Sequence, residues 1–256
     1  MGKFLISTFL FFSLFHMTIK AETISITNGE WAPYLSEKVK GYGIASHIIE
    51  EAFKQVNIKV KWGFFPWSRS LKIAKKGKEW QAAACWFYTK KRTKDFDYSD
   101  PVVNQESVFF HLKSTAFDWK TISDLKKYKV GVTQDYSYGK IFDLALKQGL
   151  FEFEKAKNDT LNLLKVGKKR VQIFPLAKLV GLSILKTLKT TKPSSNLSEL
   201  TYHQRPLHKT PLYLLFSKKR KDQKLLVKFN RGLQMIQKNG TYDKIINDAK
   251  KGVYTK

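Results

Sequence analysis

Arg92 closes the run TKKR within WFYTKKRTKDFDYSDPV, residues 86–102. Its guanidinium is a planar fork of N–H donors, the shape that meets a carboxylate with two parallel hydrogen bonds. Thr89 stands just before it and can offer a hydroxyl to the same anion. The competing reading is a solvated turn in which Arg92 pairs with Asp95 or Asp97. Ser137 lies in TQDYSYG, 133–139, ahead of a helical pattern. A hydroxyl there, with unpaired backbone N–H groups, suits either a small anion or a plain helix cap. Arg69, in PWSR at 66–69, stands at a helix start that Pro66 favours. It is a second anion contact or an ordinary surface charge. Trp31 and Tyr34 follow the strand-like TISIT at 23–27, and Trp86 ends the apolar QAAACWF at 81–87. Such rings either pack the core or wall a pocket, where stacking over a cation is worth roughly 0.5–2 kcal/mol each.

Catalytic chemistry is not concentrated anywhere in the chain. Beyond the N-terminal segment the histidines are His47, His111, His203 and His208, with no HExxH among them and no closely spaced acidic ligands, so no metal is expected. GYGIAS at 41–46 lacks the full spacing of a dinucleotide fingerprint and no P-loop occurs, so no cofactor is expected. No pair of carboxylates takes acid and base roles from spacing alone. Cys85, the only cysteine, lies in the apolar AAACW; it reads as a core thiol and excludes an internal disulfide. Lys and Arg number 47 against 21 Asp and Glu, a formal charge of +26 that would steer the protein toward polyanions. The lysines are spread along the whole chain, with no basic stripe interleaved with stacking aromatics, so no nucleic-acid partner is expected.

Alternating periods supply the elements that must position these residues. Residues 1–21 read as a cleaved export signal, with Lys3, the apolar Phe4–Phe15 and a small residue, Ala21, at the cut. After it come a strand at 23–27, a helix at 42–56, a strand at 59–65, a helix at 67–76 stopped by Gly77, and the strand at 81–87. The same order recurs as strands at 128–132, 151–156 and 170–174 with helices at 138–149, 159–167 and 177–188. A polar loop at 191–199, an apolar strand at 210–216, a helix carrying Leu225, Phe229, Leu233 and Ile236, and a short last helix from Tyr242 complete the chain. Two α/β units imply two lobes: 22–109, then 110–209, with 210–256 returning to the first. Crossings near 106–113 and 207–213 would form a hinge, a cleft between the lobes, and one sheet in each lobe. The turn carrying Arg92 and the turn at 133–139 would both follow strand ends that face this cleft.

Five stretches carry a family pattern in chain order: GEWAPY at 29–34, GYGIASHIIEEAF at 41–53, TKKRTKDFDYSDPV at 89–102, KVGVTQDYSYG at 129–139 and LVKFNRGLQMIQKNGTYDKII at 226–246. Together they resemble the bacterial extracellular solute-binding proteins of family 3, the periplasmic amino-acid-binding type. The resemblance implies a bilobal type II periplasmic binding protein-like α/β fold with a double-crossing hinge. It also implies a monomer that closes over a small carboxylate or amino-acid-like ligand and delivers it to a membrane permease or sensor. Arg92 then takes the place of the arginine that grips the ligand carboxylate. A dehydratase-like enzyme of the same fold and a ligand-sensing protein are the alternatives. One departure matters: members of this family carry an aspartate in the second lobe that balances the ligand ammonium, whereas VGKKRVQIFPLAKL, 166–179, holds no acid. The expectation is therefore a carboxylate whose amine is absent or masked, unless Asp135 or another acid replaces the missing partner. Gln172 in that segment reads as structural.

Overall fold

Ile24 and Ile26 alternate with Thr23 and Ser25 along the strand β1 (Glu22–Asn28), and both are fully buried. This alternation sets the first core. In the computed structural model, which describes residues 22–134, 136–191, 196–220 and 223–255, β1 lies between two parallel partners. These are β2 (Ile58–Phe64) and β3 (Ala82–Phe87). The helix α1 (Ile44–Lys54) covers them with Ile44, Ile48, Ile49, Ala52 and Phe53, a stripe at helical spacing. The helix α2 (Trp67–Lys76) ends at Gly77, whose left-handed φ of 65° turns the chain out of the helix.

The long strand β4 (Phe96–Leu112) then leads into a second unit of the same kind. It comprises β5 (Val130–Thr133), α3 (Lys140–Lys147), β6 (Phe153–Ala156), α4 (Asp159–Gly167), β7 (Ile173–Ala177) and α5 (Lys178–Thr191). After β8 (Leu200–Tyr202), strand β9 (His208–Ser217) runs back beside β4. The helices α6 (Gln223–Lys238) and α7 (Thr241–Lys250) close the first core, with Phe229, Leu233, Ile236 and Ile245 packed into it.

Two large hydrophobic cores result, one around Ile24, Phe53 and Phe229, the other around Phe109, Val130 and Phe174, beside a small cluster of Ala74, Ala83, Phe96 and Leu215. Along β4 the chain leaves the first core after Val103 and enters the second at Val108. The expectation of one sheet per lobe is corrected. The ladder is continuous in the order β2-β1-β3-β9-β4-β7-β5-β6, with β8 on β4, because the two crossing strands pair with each other. Parallel pairing holds within each unit, and the crossing strands are antiparallel. The fold is the expected mixed α/β arrangement of two lobes.

The sequence reading missed β4 for a physical reason. Its start, DYSDP, carries turn residues, and Pro101 cannot donate to a ladder. The strand accommodates this by register shifts against β9 on either side of Pro101. The export segment proposed for residues 1–21 lies outside the described residues. Among those described, no helix is long and apolar enough to cross a membrane.

Burial lowers the pKa of His47, His111 and His208 below the ordinary histidine value. The unfolded chain thus binds more protons than the folded one as the pH falls below about 6.5. Stability attributable to these rings is present above that pH and is lost on acidification. Thermal unfolding followed from pH 7.5 to 5.5 should show a falling Tm, with a smaller fall in His47→Gln. A Tm that stays level or rises would contradict the assignment.

Candidate functional site

One extra residue in β3 shapes the first wall of the site. The register of β3 against β9 slips between Ala83 and Trp86, and Cys85 adopts a left-handed φ of 56°. Such a bulge bends the strand and re-aims the side chains after it. Trp86 then meets Trp67 edge-on, with ring centroids 5.2 Å apart. Gly29 leaves room for this: a Cβ there would lie 2.5 Å from the Trp67 indole. Cys85 itself is buried, and burial pushes its thiol pKa up, so it is the core thiol expected.

Arg92 begins a one-turn 3-10 helix on the loop after β3. Its guanidinium stacks over Trp86, 4.6 Å from the ring centroid, and Nη1 donates to the Phe87 carbonyl at 2.8 Å. The two acids that a solvated turn would give to Arg92 are occupied elsewhere. Asp95 pairs with Lys75 at 2.9 Å and Asp97 with Lys218 at 3.4 Å. Among the described residues Arg92 has no carboxylate partner, so most of its donor fork is free. The Thr89 hydroxyl accepts from the Arg92 backbone N–H at 3.3 Å, and the Thr89 N–H donates to the Tyr98 hydroxyl at 3.2 Å. Thr89 therefore shapes the arginine's loop.

Arg92, Trp86, Trp67 and Cys85 line a pocket of about 290 Å³ with Trp31 and Phe87. The last two also wall a larger cleft of about 560 Å³ between the two cores. Gln105 and Ser107 of β4, with His208 and Thr210 of β9, lie along it, so the crossing strands form its floor. The second lobe contributes Tyr136, Ser137, Tyr138 and Asp159. Gly139 takes a φ of 96° as α3 begins, a conformation that glycine adopts without a Cβ penalty.

The other candidates take different places. Tyr34 is fully buried and stacks behind Trp31 at 4.7 Å, so it supports the wall without facing the cleft. Arg69 lies on the outer face of α2 beside Lys72 and Lys76, 5.4 Å from the Phe65 ring and apart from the cleft-lining residues. Ser137 lines the cleft, but its hydroxyl donates to Asp143 of α3 in a short hydrogen bond. Asp143 also accepts from the Tyr138 N–H at 2.8 Å, so Ser137 belongs to a helix-entry network. Asp135 lies outside the described residues. Gln172 accepts from the Lys129 N–H, which ties β7 to the start of β5 and is structural as read. Among the described residues no group of three His, Cys, Asp or Glu side chains could hold a metal ion.

Phe87, Tyr136, Tyr138, His208 and Asp159 escaped the sequence reading. Asp159 had one usable signal: it opens α4 directly after β6, at the C-terminal end of a parallel strand, where such sheets present ligand contacts. Burial raises its pKa, opposed by hydrogen bonds from Thr133 and Tyr136.

The comparisons agree with this architecture. The Lactococcus lactis GlnP substrate binding domain 2 in an open conformation is 18% identical, with TM-score 0.70 over 91% of this chain and 97% of that one. The unliganded, open L-cystine solute receptor of Neisseria gonorrhoeae is 17% identical, with TM-score 0.70 over 88% and 91%. A histidine kinase sensor domain with similarity to periplasmic binding proteins is 18% identical, with TM-score 0.59 over 88% and 95%. At these identities the likeness is one of fold. No curated relative matches the chain. The model of the bacterial extracellular solute-binding proteins, family 3, matches residues 24–249, nearly the whole described chain, and the protein belongs to that family.

Proposed function

We propose that the protein binds a small carboxylate-bearing or amino-acid-like solute in the cleft between its cores, without turnover, and delivers it to a membrane transporter. The observation that carries this reading is the arginine fork with no carboxylate partner among the described residues, held on Trp86 beside an aromatic-walled cavity. A guanidinium already stacked and oriented loses little freedom when it takes up a carboxylate. Trp31 and Phe87 supply an apolar surface for the body of the ligand. Lobe 1 comprises 22–109 and 210–256, lobe 2 comprises 110–209, and closure about β4 and β9 dries the contact and strengthens it. The protein works as a monomer in the periplasm after removal of residues 1–21; the extracellular family description supports the export part of this reading. The sensor-domain relative favours a second reading, in which the closed form signals to a membrane partner.

Removing one side of a buried, hydrogen-bonded charge pair costs about 2–5 kcal/mol. Calorimetry with the solute released from natively purified protein should therefore show Arg92→Ala weakening binding by about 30-fold or more. Lys90→Ala, on the same turn but exposed, should change it little. Equal small effects would place the anion elsewhere, and catalysed loss of the solute on incubation would replace binding with an enzymatic role. Trp31→Ala should weaken binding by a smaller factor, about 3- to 30-fold, by removing one aromatic wall.

A further inference from the structure

The two faces of the crossing strands lead to different places. Gln105 and Ser107 of β4, opposite Thr210 and His208 of β9, line the cleft. The alternate residues point the other way. Asn104 and Glu106 line a second cavity of about 270 Å³ on the back of the hinge, where Glu106 pairs with its strand neighbour Lys209 at 2.8 Å. Both lobes bound this cavity, with Lys178 and Leu179 at the start of α5 on one side and Tyr242 and Ile246 of α7 on the other. The same two elements are joined directly: Lys186 of α5 donates from Nζ to the carbonyl of Gly252, just after α7, at 2.8 Å. Away from the crossing strands, this is the one side-chain hydrogen bond that links the lobes among the described residues. Among the described helices α5 is also the one that enters both cores. Leu185 and Leu188 belong to the second, while Leu179 belongs to the first and Leu182 packs against it. The tail that receives Lys186 is fixed in lobe 1, since Tyr254 is buried with its hydroxyl 2.6 Å from His47 Nδ1.

We propose that the contact of α5 with the segment after α7 is a brace on the back of the hinge, which sets the affinity for the solute from outside the cleft, with Lys186 as its positioning residue. The inference rests on the reading of the cleft as a solute site that closes about β4 and β9. Those strands lie between the cleft and the brace, so a rotation that narrows the cleft in front separates α5 from α7 behind. Closure therefore draws Lys186 away from the Gly252 carbonyl and loosens Leu182 on the first core. A solute held by the closed form binds with an apparent affinity reduced by the fraction of molecules able to close. The brace stabilises the separated form and so weakens binding without touching the solute. A change at Lys186 resets the affinity while every cleft residue stays the same.

Variants at one exposed position test this directly. The mature protein, Lys186→Ala, Lys186→Arg and Lys189→Ala, the last an exposed site on the same helix, are titrated calorimetrically. The probe is the solute released by mild denaturation of natively purified protein and identified by mass spectrometry. Lys186→Ala should bind it about 2- to 10-fold more tightly, the range expected when the separated form loses one hydrogen bond. Lys186→Arg, which keeps a donor, and Lys189→Ala should match the unaltered protein. With spin labels on the two lobes, Lys186→Ala should also show a larger closed population at the same subsaturating solute concentration. Unchanged or weaker binding by Lys186→Ala overturns the inference, as does tighter binding with no change in lobe separation. Arg92→Ala, run alongside, separates this outcome from the reading beneath it. If Arg92→Ala weakens binding while Lys186→Ala leaves it unchanged, the cleft reading stands and the brace falls. If neither changes it, both fall.

Discussion

The antiparallel pairing of β4 with β9 joins the two cores and fixes where each lobe begins. From Phe96 against Ser217 to Ser107 against His208, one ladder runs out of the first core and into the second. Every residue of lobe 2 up to β8 is inserted between these two strands. The same strands give the cleft its floor through Gln105, Ser107, His208 and Thr210. Antiparallel pairing fixes the register of the crossing, since a slip of one residue would exchange the side chains facing the cleft with those facing away. Two strands crossing side by side make a short hinge, which suits the lobe closure proposed above.

Around this hinge, charge is arranged so that the site keeps its own charges unneutralised. Asp95 and Asp97 sit within a few residues of Arg92, yet Lys75 and Lys218 take them. The abundance of lysine therefore has a local effect beyond solubility: it ties up Asp95 and Asp97 and leaves Arg92 with no carboxylate partner among the described residues. The surplus of positive charge also raises the local concentration of small anions before they reach the cleft. Stacking on Trp86 and the bond to the Phe87 carbonyl hold the guanidinium in place, as the proposed carboxylate grip requires. This positioning in turn depends on the bulge at Cys85 and the space left by Gly29.

Much of the fold was legible from periodicity. The helical stripe of α1, the apolar run of β3 and the repeated strand–helix units appear near their expected places, because each follows from burial of one face. The crossing strand β4 was harder to read, since DYSDP spells a turn locally and only pairing with β9 makes it a strand. The family resemblance and the fold stand on that pattern together with the family match over 24–249. Of the candidate residues, Arg92, Trp31, Trp86 and Ser137 line the pockets, Tyr34 lies behind Trp31, and Arg69 faces outward. The residues that the sequence hid are those whose role depends on long-range placement. Asp159 in NDT looks like an ordinary first-turn acid until β5 brings Thr133 against it.

A small anion gripped by Arg92 is proposed to close one lobe on the other. Spin labels on cysteines placed at Lys90 and Lys140, two exposed positions on opposite lobes, would read the separation directly. Cys85 is buried, with its thiol kept protonated, and would not compete for label. Pulsed electron resonance on addition of the native solute should show the distance distribution shifting to a shorter mean by several ångströms, with no shift in Arg92→Ala at the same solute concentration. Tight binding with an unchanged distance, or equal closure without Arg92, would contradict the account.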